Sequence, residues 1–190
     1  MSEKREREVG KGDLVAIWDV PLSDGLHRVE FEHGTTSGKR VIRVDDKELL
    51  NNEWMFKLVG SESFQIGRHR CIIRISPIGS FSYEYHLEVD GKSYKKFTET
   101  QSKIMKTWMV SLPSEDYRVV LEKDTLDIWV NGEKLEVTSE FVDGGTEMHF
   151  SFGPGGIHQG CIASKSSGKR REGLIYDLLF NGSIIPEAPE

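Results

Sequence analysis

The chain has few cysteines and lacks a long apolar run, and both shortages limit what it can be. Its 190 residues include only two cysteines, Cys71 and Cys161. Small secreted domains more often contain several disulfide pairs, so we expect both to be reduced thiols. No apolar run approaches the roughly 20 residues that span a bilayer, and the amino end is charged where a signal peptide would be apolar. We therefore expect a soluble, cytoplasmic protein without membrane insertion.

Positive charge is also in short supply. The 25 Lys and Arg residues are outnumbered by 31 Asp and Glu residues, and the formal net charge is -6 at pH 7. A surface that neutralises nucleic-acid phosphates needs clustered basic residues, so we predict no nucleic-acid partner. The segment 1–12 mixes both charges and has almost nothing apolar to bury, which predicts a disordered charged tail.

Helical patterns are nearly missing, whereas strand patterns recur along the chain. The segment 81–89 has an apolar residue at every second position, and these share one face of a predicted strand: Phe81, Tyr83, Tyr85, Leu87 and Val89. Asn131-Gly132 and Asn181-Gly182 are dipeptides typical of tight hairpins. The segment 98–106 is the best helical candidate, but it has no sustained apolar stripe. The sequence therefore predicts an all-β fold.

The two halves of the chain resemble each other. Trp18 matches Trp108 and Cys71 matches Cys161, both at an offset of 90 residues. Repeats of solenoid proteins are shorter, at roughly 20–50 residues, so this period indicates a duplicated domain. We predict two tandem antiparallel β-sandwich domains related by internal duplication. They cover residues 13–98 and 108–186, with a linker at 99–107 and a tail at 187–190.

The motifs of common enzymes are missing. The loop Gly34–Arg40 resembles a phosphate-binding loop, but only three residues separate its glycines, and Arg40 follows the lysine where Ser or Thr is required. No Gly-x-Ser-x-Gly nucleophile motif occurs. We therefore predict a protein that is not an enzyme, with no catalytic residues and no cofactor.

Metal binding is the next class of chemistry to consider. Strand alternation places His69 and Cys71 on one face, which is compatible with a metal pair. Structural zinc requires four ligands, however, and no further partners are visible in the sequence. We predict no metal site and interpret both cysteines as small buried apolar residues.

Two kinds of residue are candidates for contact with a partner. Trp129 alternates with Ile128 and Val130 and therefore lies on the opposite face of its strand, where it can contact a partner. Two basic loops are the other candidates, and they contain Lys39, Arg40, Lys169, Arg170 and Arg171. These loops either bind an acidic peptide or phosphate, or simply keep the strand ends solvated.

Long strings of the sequence resemble one known family. They run from Asp13 to about Glu187: Asp13–Val20, Ser23–Arg40, Glu53–Gly60, Val119–Asp124, Glu140–Asp143, Ser166–Gly173 and Ile184–Glu187. In these strings the chain resembles the Fas apoptotic inhibitory molecule family.

The resemblance implies two tandem antiparallel β-domains and a non-enzymatic cytosolic regulator of apoptosis and cell-survival signalling. Such a regulator would act by protein–protein contact, and the family is also associated with protection against stress-induced protein aggregation. The implied partners are death-receptor or survival-signalling components and misfolded or aggregating clients. A small-ligand or glycan-binding β-sandwich module is the alternative, and the sequence gives no oligomeric state.

Overall fold

The computed structural model describes residues 13–80, 82–169 and 173–188. The predicted tail 1–12 lies outside this part of the chain, as do Phe81, Arg170 and Arg171. Strands make up most of the described residues, together with one α-helix, α1 (Tyr94–Ile104), and a short 3-10 turn at Pro154–Gly156. In the described ranges no helix is long and apolar enough to cross a membrane. The all-β prediction is confirmed.

The chain divides into two compact units. The first comprises the described residues up to Pro21 together with Leu26–Glu99, and the second comprises Leu22–Gly25 and the described residues from Thr100 onwards. Each unit contains two antiparallel sheets. The predicted pair of tandem antiparallel β-domains is therefore present.

The first unit contains sheets A and B, each a meander in which every strand pairs with the next one along the chain. Sheet A comprises β1 (Leu14–Pro21), β2 (Leu26–His33), β3 (Arg40–Val44) and β4 (Lys47–Asn52). Sheet B comprises β5 (Gly60–Ile66), β6 (His69–Ile78), β7 (Ser82–Val89) and β8 (Lys92–Ser93). In β7, Leu87 and Val89 are buried whereas Glu84 and His86 are exposed. The predicted alternation therefore holds along the described strand.

The second unit contains sheets C and D. Sheet C comprises β9 (Met105–Ser111), β10 (Asp116–Glu122), β11 (Asp127–Val130) and β12 (Glu133–Lys134). Sheet D comprises β13 (Thr138–Val142), β14 (Gly145–Phe152), β15 (His158–Ser166), β16 (Leu174–Phe180) and β17 (Ser183–Ile185). The core combines buried residues of both sheets, including Trp108, Val119 and Ile128 from sheet C and Phe150, Ile162 and Leu178 from sheet D.

The duplication is visible in strand register. Val29 pairs with Trp18 on one side and Val44 on the other, and Val119 pairs with Trp108 and Val130 in the same way. Sheets A and C therefore align residue for residue at these positions, as the offset between Trp18 and Trp108 predicts.

A single turn geometry closes the last strand pair of each sheet. The first turn residue has positive φ in all four: Asp45 (50°), Asp90 (50°), Asn131 (46°) and Asn181 (50°). Asp and Asn tolerate this left-handed conformation because their short side chains hydrogen-bond locally. In sheet A, for example, the Arg28 N–H donates to Asp45 Oδ1 at 2.8 Å, and in sheet C the Arg118 N–H donates to Asn131 Oδ1 at 2.7 Å. The same turn therefore recurs in all four sheets.

The predicted equivalence of the two cysteines is wrong by one residue. In sheet B, Cys71 pairs with Phe64, but in sheet D the partner of Phe150 is Gly160, and Cys161 pairs with His149. Successive residues of a strand point to opposite faces, so a shift of one residue moves the side chain to the other face. Cys71 is accordingly buried in the core, whereas Cys161 is only half-buried.

The predicted linker 99–107 comprises the end of α1 and the beginning of β9, and the boundary between the two units falls between Glu99 and Thr100. Helix α1 has three turns and begins at Tyr94, before the predicted helical segment 98–106. Its inward positions include Phe97, which is 2% exposed, and Gln101, which is 9% exposed. A search for an apolar stripe passes over this helix because one of its buried positions is a glutamine.

The predicted tail 187–190 is also part of the fold over its described residues. Glu187 forms an antiparallel bridge with Trp108, and the Ala188 N–H donates to the Thr107 carbonyl at 2.8 Å. The Lys106 ammonium lies 3.0 Å from the Glu187 carboxylate. This segment satisfies backbone groups of β9, which is the edge strand of sheet C.

Candidate functional site

The segment 53–59, between β4 and β5, presents two aromatic side chains to solvent. Trp54 is 65% exposed and Phe56 is 97% exposed. We call this segment the aromatic loop. Large exposed aromatic side chains are a recurrent feature of protein contact surfaces, because they supply much contact area at low entropic cost.

Arg40 holds the end of the aromatic loop. Its guanidinium donates to the carbonyls of Lys57 at 2.8 Å and Val59 at 2.9 Å, and it pairs with the Glu62 carboxylate at 2.5 Å. Arg40 itself is 2% exposed. A planar guanidinium satisfies several acceptors at fixed angles, so this buried side chain fixes the course of the loop backbone.

A second anchor joins the aromatic loop to the loop 34–39, which we call the basic loop. The Met55 N–H donates to the Ser37 carbonyl at 3.0 Å. Gly38 has a φ of +69°, and a Cβ at this position would lie 2.3 Å from the Met55 carbonyl oxygen. Only glycine allows this close approach of the two backbones. The second glycine of the phosphate-loop-like pattern, Gly38, is therefore explained by this contact with the aromatic loop.

A buried polar group lies next to the basic loop. Glu32 is 2% exposed and pairs with Lys39 at 3.0 Å and with Arg43. Burial raises the pKa of Glu32, but the hydrogen bonds from Arg43 and Lys39 outweigh it and lower the pKa below its usual value of 4.5. The carboxylate is thus ionised at neutral pH and ties the basic loop to β2 and β3.

His33 is the second ionisable residue buried in this region. It is 1% exposed, and its Nδ1 lies 2.9 Å from the Tyr85 hydroxyl. Burial lowers the pKa of His33 below its usual 6.5, and the nearby charge of Arg40 lowers it further. His33 is therefore neutral at pH 7.

The basic residues proposed as partner contacts lie in different environments. Lys39 is half-buried and already paired with Glu32, whereas Lys169 is exposed in the turn that follows β15. Arg40 supports the aromatic loop, so a partner reaches its guanidinium only if that loop opens. Arg170 and Arg171 lie outside the described residues. For Lys39 and Lys169 the contact role stays a prediction.

Trp129 occupies the face that strand alternation predicts. Ile128 and Val130 are buried in the core, while Trp129 is half-buried on the other face of β11, paired with Val120 and Lys134. Its indole Nε1 is buried and lacks a hydrogen-bond partner among the described residues. Its role as a partner contact stays a prediction.

Sheet D offers a further exposed aromatic residue at its edge. Within the described part of the chain, strand β13 pairs only with β14, and all five of its residues are exposed. Phe141 is 94% exposed, and it shares one face of the sheet with the positions of the buried core residues Met148 and Phe150. The apolar face of sheet D therefore continues to its edge, where Phe141 is open to solvent.

His69 and Cys71, the pair that strand alternation made compatible with metal binding, lie in different surroundings. The His69 Nδ1 lies 2.7 Å from Asp90, and Cys71 is buried, which raises the pKa of its thiol to about 11. Three other potential ligands, Glu147, His149 and Cys161, have donor atoms within 4.8 Å of one another. Glu147 and His149 are two residues apart on β14, but Cys161 lies on β15, so sequence spacing alone does not bring the three together.

Comparison with known proteins identifies the family. The profile of the Fas apoptotic inhibitory molecule family matches residues 14–188. The chain is 57% identical to Fas apoptotic inhibitory molecule 1 of Mus musculus over 178 residues, which is 92% of this chain and 97% of the mouse protein. It is 55% identical to the same protein of Homo sapiens over 177 residues, with the same coverage. The chain belongs to the Fas apoptotic inhibitory molecule family. The resemblance seen in the sequence is thereby confirmed.

Both loops of the candidate site lie in strings that carried the resemblance to the Fas apoptotic inhibitory molecule family. The string Ser23–Arg40 contains the basic loop, and Glu53–Gly60 contains the aromatic loop. The sequence did not show that these strings meet in space. The exposure of Phe56 was also missed, since an aromatic residue beside a strand is more often buried.

Proposed function

We propose that this protein is a non-enzymatic, cytoplasmic regulator of apoptosis that acts by protein contact through its aromatic loop. Its relatives are named Fas apoptotic inhibitory molecules, which supports the role in cell death. The observation that carries the contact site is the pair of exposed aromatic residues, Trp54 and Phe56, on a backbone fixed by Arg40.

The anchoring of this loop favours binding for a physical reason. A flexible loop loses conformational freedom when it binds, and this loss offsets part of the contact energy. Here the hydrogen bonds of Arg40 and Ser37 already hold the loop backbone. An aromatic side chain on a preordered loop inserts into an apolar pocket of a partner without that loss. The partner we propose is therefore a folded protein with an apolar pocket that accepts Phe56.

Site-specific crosslinking tests the contact. A photoreactive phenylalanine analogue is placed at position 56 of the full chain, in cells undergoing apoptosis. The matched control places the same analogue at Leu26, which belongs to the same unit and is 65% exposed. We expect a discrete crosslinked partner from position 56 that is missing from position 26.

Binding of the purified partner then decides the proposal. Phe56→Ser should weaken binding roughly tenfold or more, which is typical of a central aromatic contact, whereas Leu26→Ser should leave it unchanged. Equal crosslinking from both positions, or unchanged binding by the Phe56→Ser variant, would show that the aromatic loop is not the contact.

A second function, protection against protein aggregation, is favoured by edge strand β13. An exposed edge has unpaired backbone groups on which an extended segment of another chain can add as a further strand. Strand β13 has one charged residue, Glu140, and it exposes Phe141 beside that edge. The occupant we propose is an extended apolar segment of an unfolding client.

Light scattering of a heat-stressed client protein tests this second function. The intact protein should suppress client aggregation at stoichiometric concentration. Phe141→Lys places a charge on the edge and should abolish most of the suppression. The control Ile184→Lys adds the same charge at the opposite edge of sheet D, where Ile184 is 63% exposed, and should keep it. Equal activity of the two variants, or an inactive wild-type protein, rules out capture at β13.

A further inference from the structure

Four potential metal ligands lie together on the face of sheet D that points away from the core. Glu140 of β13 is directly opposite Glu147 of β14, and His149 of β14 is directly opposite Cys161 of β15. Glu147 and His149 are two residues apart on one strand, so they share a face. We call these four residues the outer-face cluster.

Distances within the outer-face cluster are short. The His149 Nε2 lies 3.1 Å from a Glu140 carboxylate oxygen and 3.3 Å from a Glu147 oxygen. The donor atoms of Glu147, His149 and Cys161 all lie within 4.8 Å of one another. Donors that surround a tetrahedral zinc ion are separated by about 3.2–3.8 Å, given bond lengths of about 2.0–2.3 Å. Glu147, His149 and Cys161 are all only half-buried, which leaves their side chains room to rotate towards this spacing.

The arrangement of charge favours a cation here. Two carboxylates directly opposite each other on neighbouring strands repel and destabilise the pairing. Glu140 and Glu147 are in that position, with side chains 61% and 36% exposed. The nearest lysine along β15 on this face, Lys165, is paired with Asp177 at 2.9 Å. A divalent ion between the two carboxylates would relieve their repulsion.

The types of ligand indicate which class of ion fits. One imidazole nitrogen, one thiol sulfur and two carboxylates combine soft and hard donors, which suits zinc and related divalent transition metals better than calcium or magnesium. We propose that the outer-face cluster binds one divalent transition-metal ion of the zinc type. On binding, the Cys161 thiol gives its proton to solvent and coordinates as a thiolate, and His149 coordinates through its neutral ring.

Such an ion would connect three strands of sheet D. Glu140 is on β13, Glu147 and His149 are on β14, and Cys161 is on β15. Its coordination bonds would therefore hold the edge strand β13 to β14 and β15, in addition to the hydrogen bonds between the strands. This inference does not depend on the contact proposed for the aromatic loop, which lies in the other unit.

Cobalt titration of the full, untagged chain tests the site, because Co²⁺ replaces zinc and absorbs light. We expect one Co²⁺ per chain, a near-ultraviolet band that requires a cobalt–thiolate bond, and loss of both signals when Zn²⁺ is added. Cys161→Ser should remove the thiolate band and weaken binding roughly tenfold or more. Glu147→Gln should keep the thiolate band but weaken Co²⁺ binding to a similar degree. This variant tests the site if Cys161→Ser fails to fold.

Two control variants separate this site from incidental binding. Cys71→Ala removes the other thiol, and His86→Gln removes an exposed histidine that lies 3.3 Å from Glu84. Both should bind Co²⁺ as the wild type does. The proposal is overturned if the wild-type chain shows no thiolate band at millimolar Co²⁺, or if the band survives in Cys161→Ser.

Discussion

At the scale of single residues, the packing of sheet D depends on Gly160. A Cβ at this position would lie 2.5 Å from the Phe150 ring, which is shorter than any normal contact. In sheet B the residue paired with the equivalent phenylalanine is Cys71, so each sheet fills this part of its core differently. In sheet D, Gly160 has no side chain, and the Phe150 ring occupies the volume that a side chain at position 160 would fill.

Replacement of Gly160 by alanine should destabilise the second unit by about 1–3 kcal/mol, because a well-packed core accommodates an extra methyl group only by shifting its neighbours. Gly25→Ala is the matched control, since no atom of the described residues lies within 4 Å of a Cβ there, and it should change stability by less than about 0.5 kcal/mol. Urea unfolding monitored by tryptophan fluorescence measures both. Equal stability of the two variants would contradict the proposed packing around Phe150.

The buried His33 predicts a loss of stability at mildly acidic pH. Because burial and Arg40 lower its folded-state pKa below 6.5, the unfolded chain binds a proton at a higher pH than the folded chain does. The stability contributed by neutral His33 is complete above pH 6.5 and is lost as the pH falls towards the folded-state pKa. The slope for one proton is at most about 1.4 kcal/mol per pH unit.

Denaturant unfolding between pH 7.5 and pH 5 checks this prediction. His33→Gln, which can still bond to the Tyr85 hydroxyl, should have a flatter dependence of unfolding free energy on pH. His86→Gln changes an exposed histidine of sheet B and serves as the control. If His33→Gln and the wild type lose stability in parallel, His33 is not the group responsible.

At the scale of structural elements, the aromatic loop depends on one buried arginine. Arg40 is the ion-pair partner of Glu62, which is also largely buried, and it bonds two loop carbonyls. Removal of one partner of a buried pair leaves an uncompensated charge and costs about 3 kcal/mol. The loop backbone loses its two side-chain donors at the same time.

Arg40→Met should therefore destabilise the first unit by about 3 kcal/mol and expose the loop to trypsin at Lys57. Arg74→Met is the control, because Arg74 forms a surface ion pair with Glu88 and its loss should cost less than about 1 kcal/mol. Unfolding curves and limited proteolysis measure the two effects. Resistance of Arg40→Met to cleavage at Lys57 would mean that the loop is held by other contacts.

Strands were predictable from sequence where a regular alternation of apolar residues marks them, as in β7. Helix α1 was predicted only in part: the segment 98–106 is the best helical candidate, but its buried positions include Gln101, which interrupts the apolar stripe. The sequence repeat aligned Cys161 with Cys71, because each half has a cysteine near this position. Only the strand register shows that Gly160, which pairs with Phe150, is the true equivalent of Cys71. The outer-face cluster could not be predicted, since only the pairing register of β13, β14 and β15 brings Glu140 and Cys161 to Glu147 and His149.

At the scale of the whole molecule, the two units differ at their edges and loops. The first unit has the aromatic loop, with Phe56 almost fully exposed, and the second has the edge strand β13 with Phe141. The shared register of strands such as β2 and β10 maintains the cores. Family membership and these exposed aromatic residues together support a protein that acts by contact.

The most direct test of the central claim is survival of cells stimulated through Fas. Cells that lack the protein receive the wild type, the double variant Trp54→Ser/Phe56→Ser, or Leu26→Ser, at equal protein levels. Exposed substitutions of this kind change stability by less than about 0.5 kcal/mol, so folding is preserved. We predict that the wild type and Leu26→Ser reduce cell death, whereas the double variant loses most of this protection. Full protection by the double variant would contradict the claim that the aromatic loop performs the function.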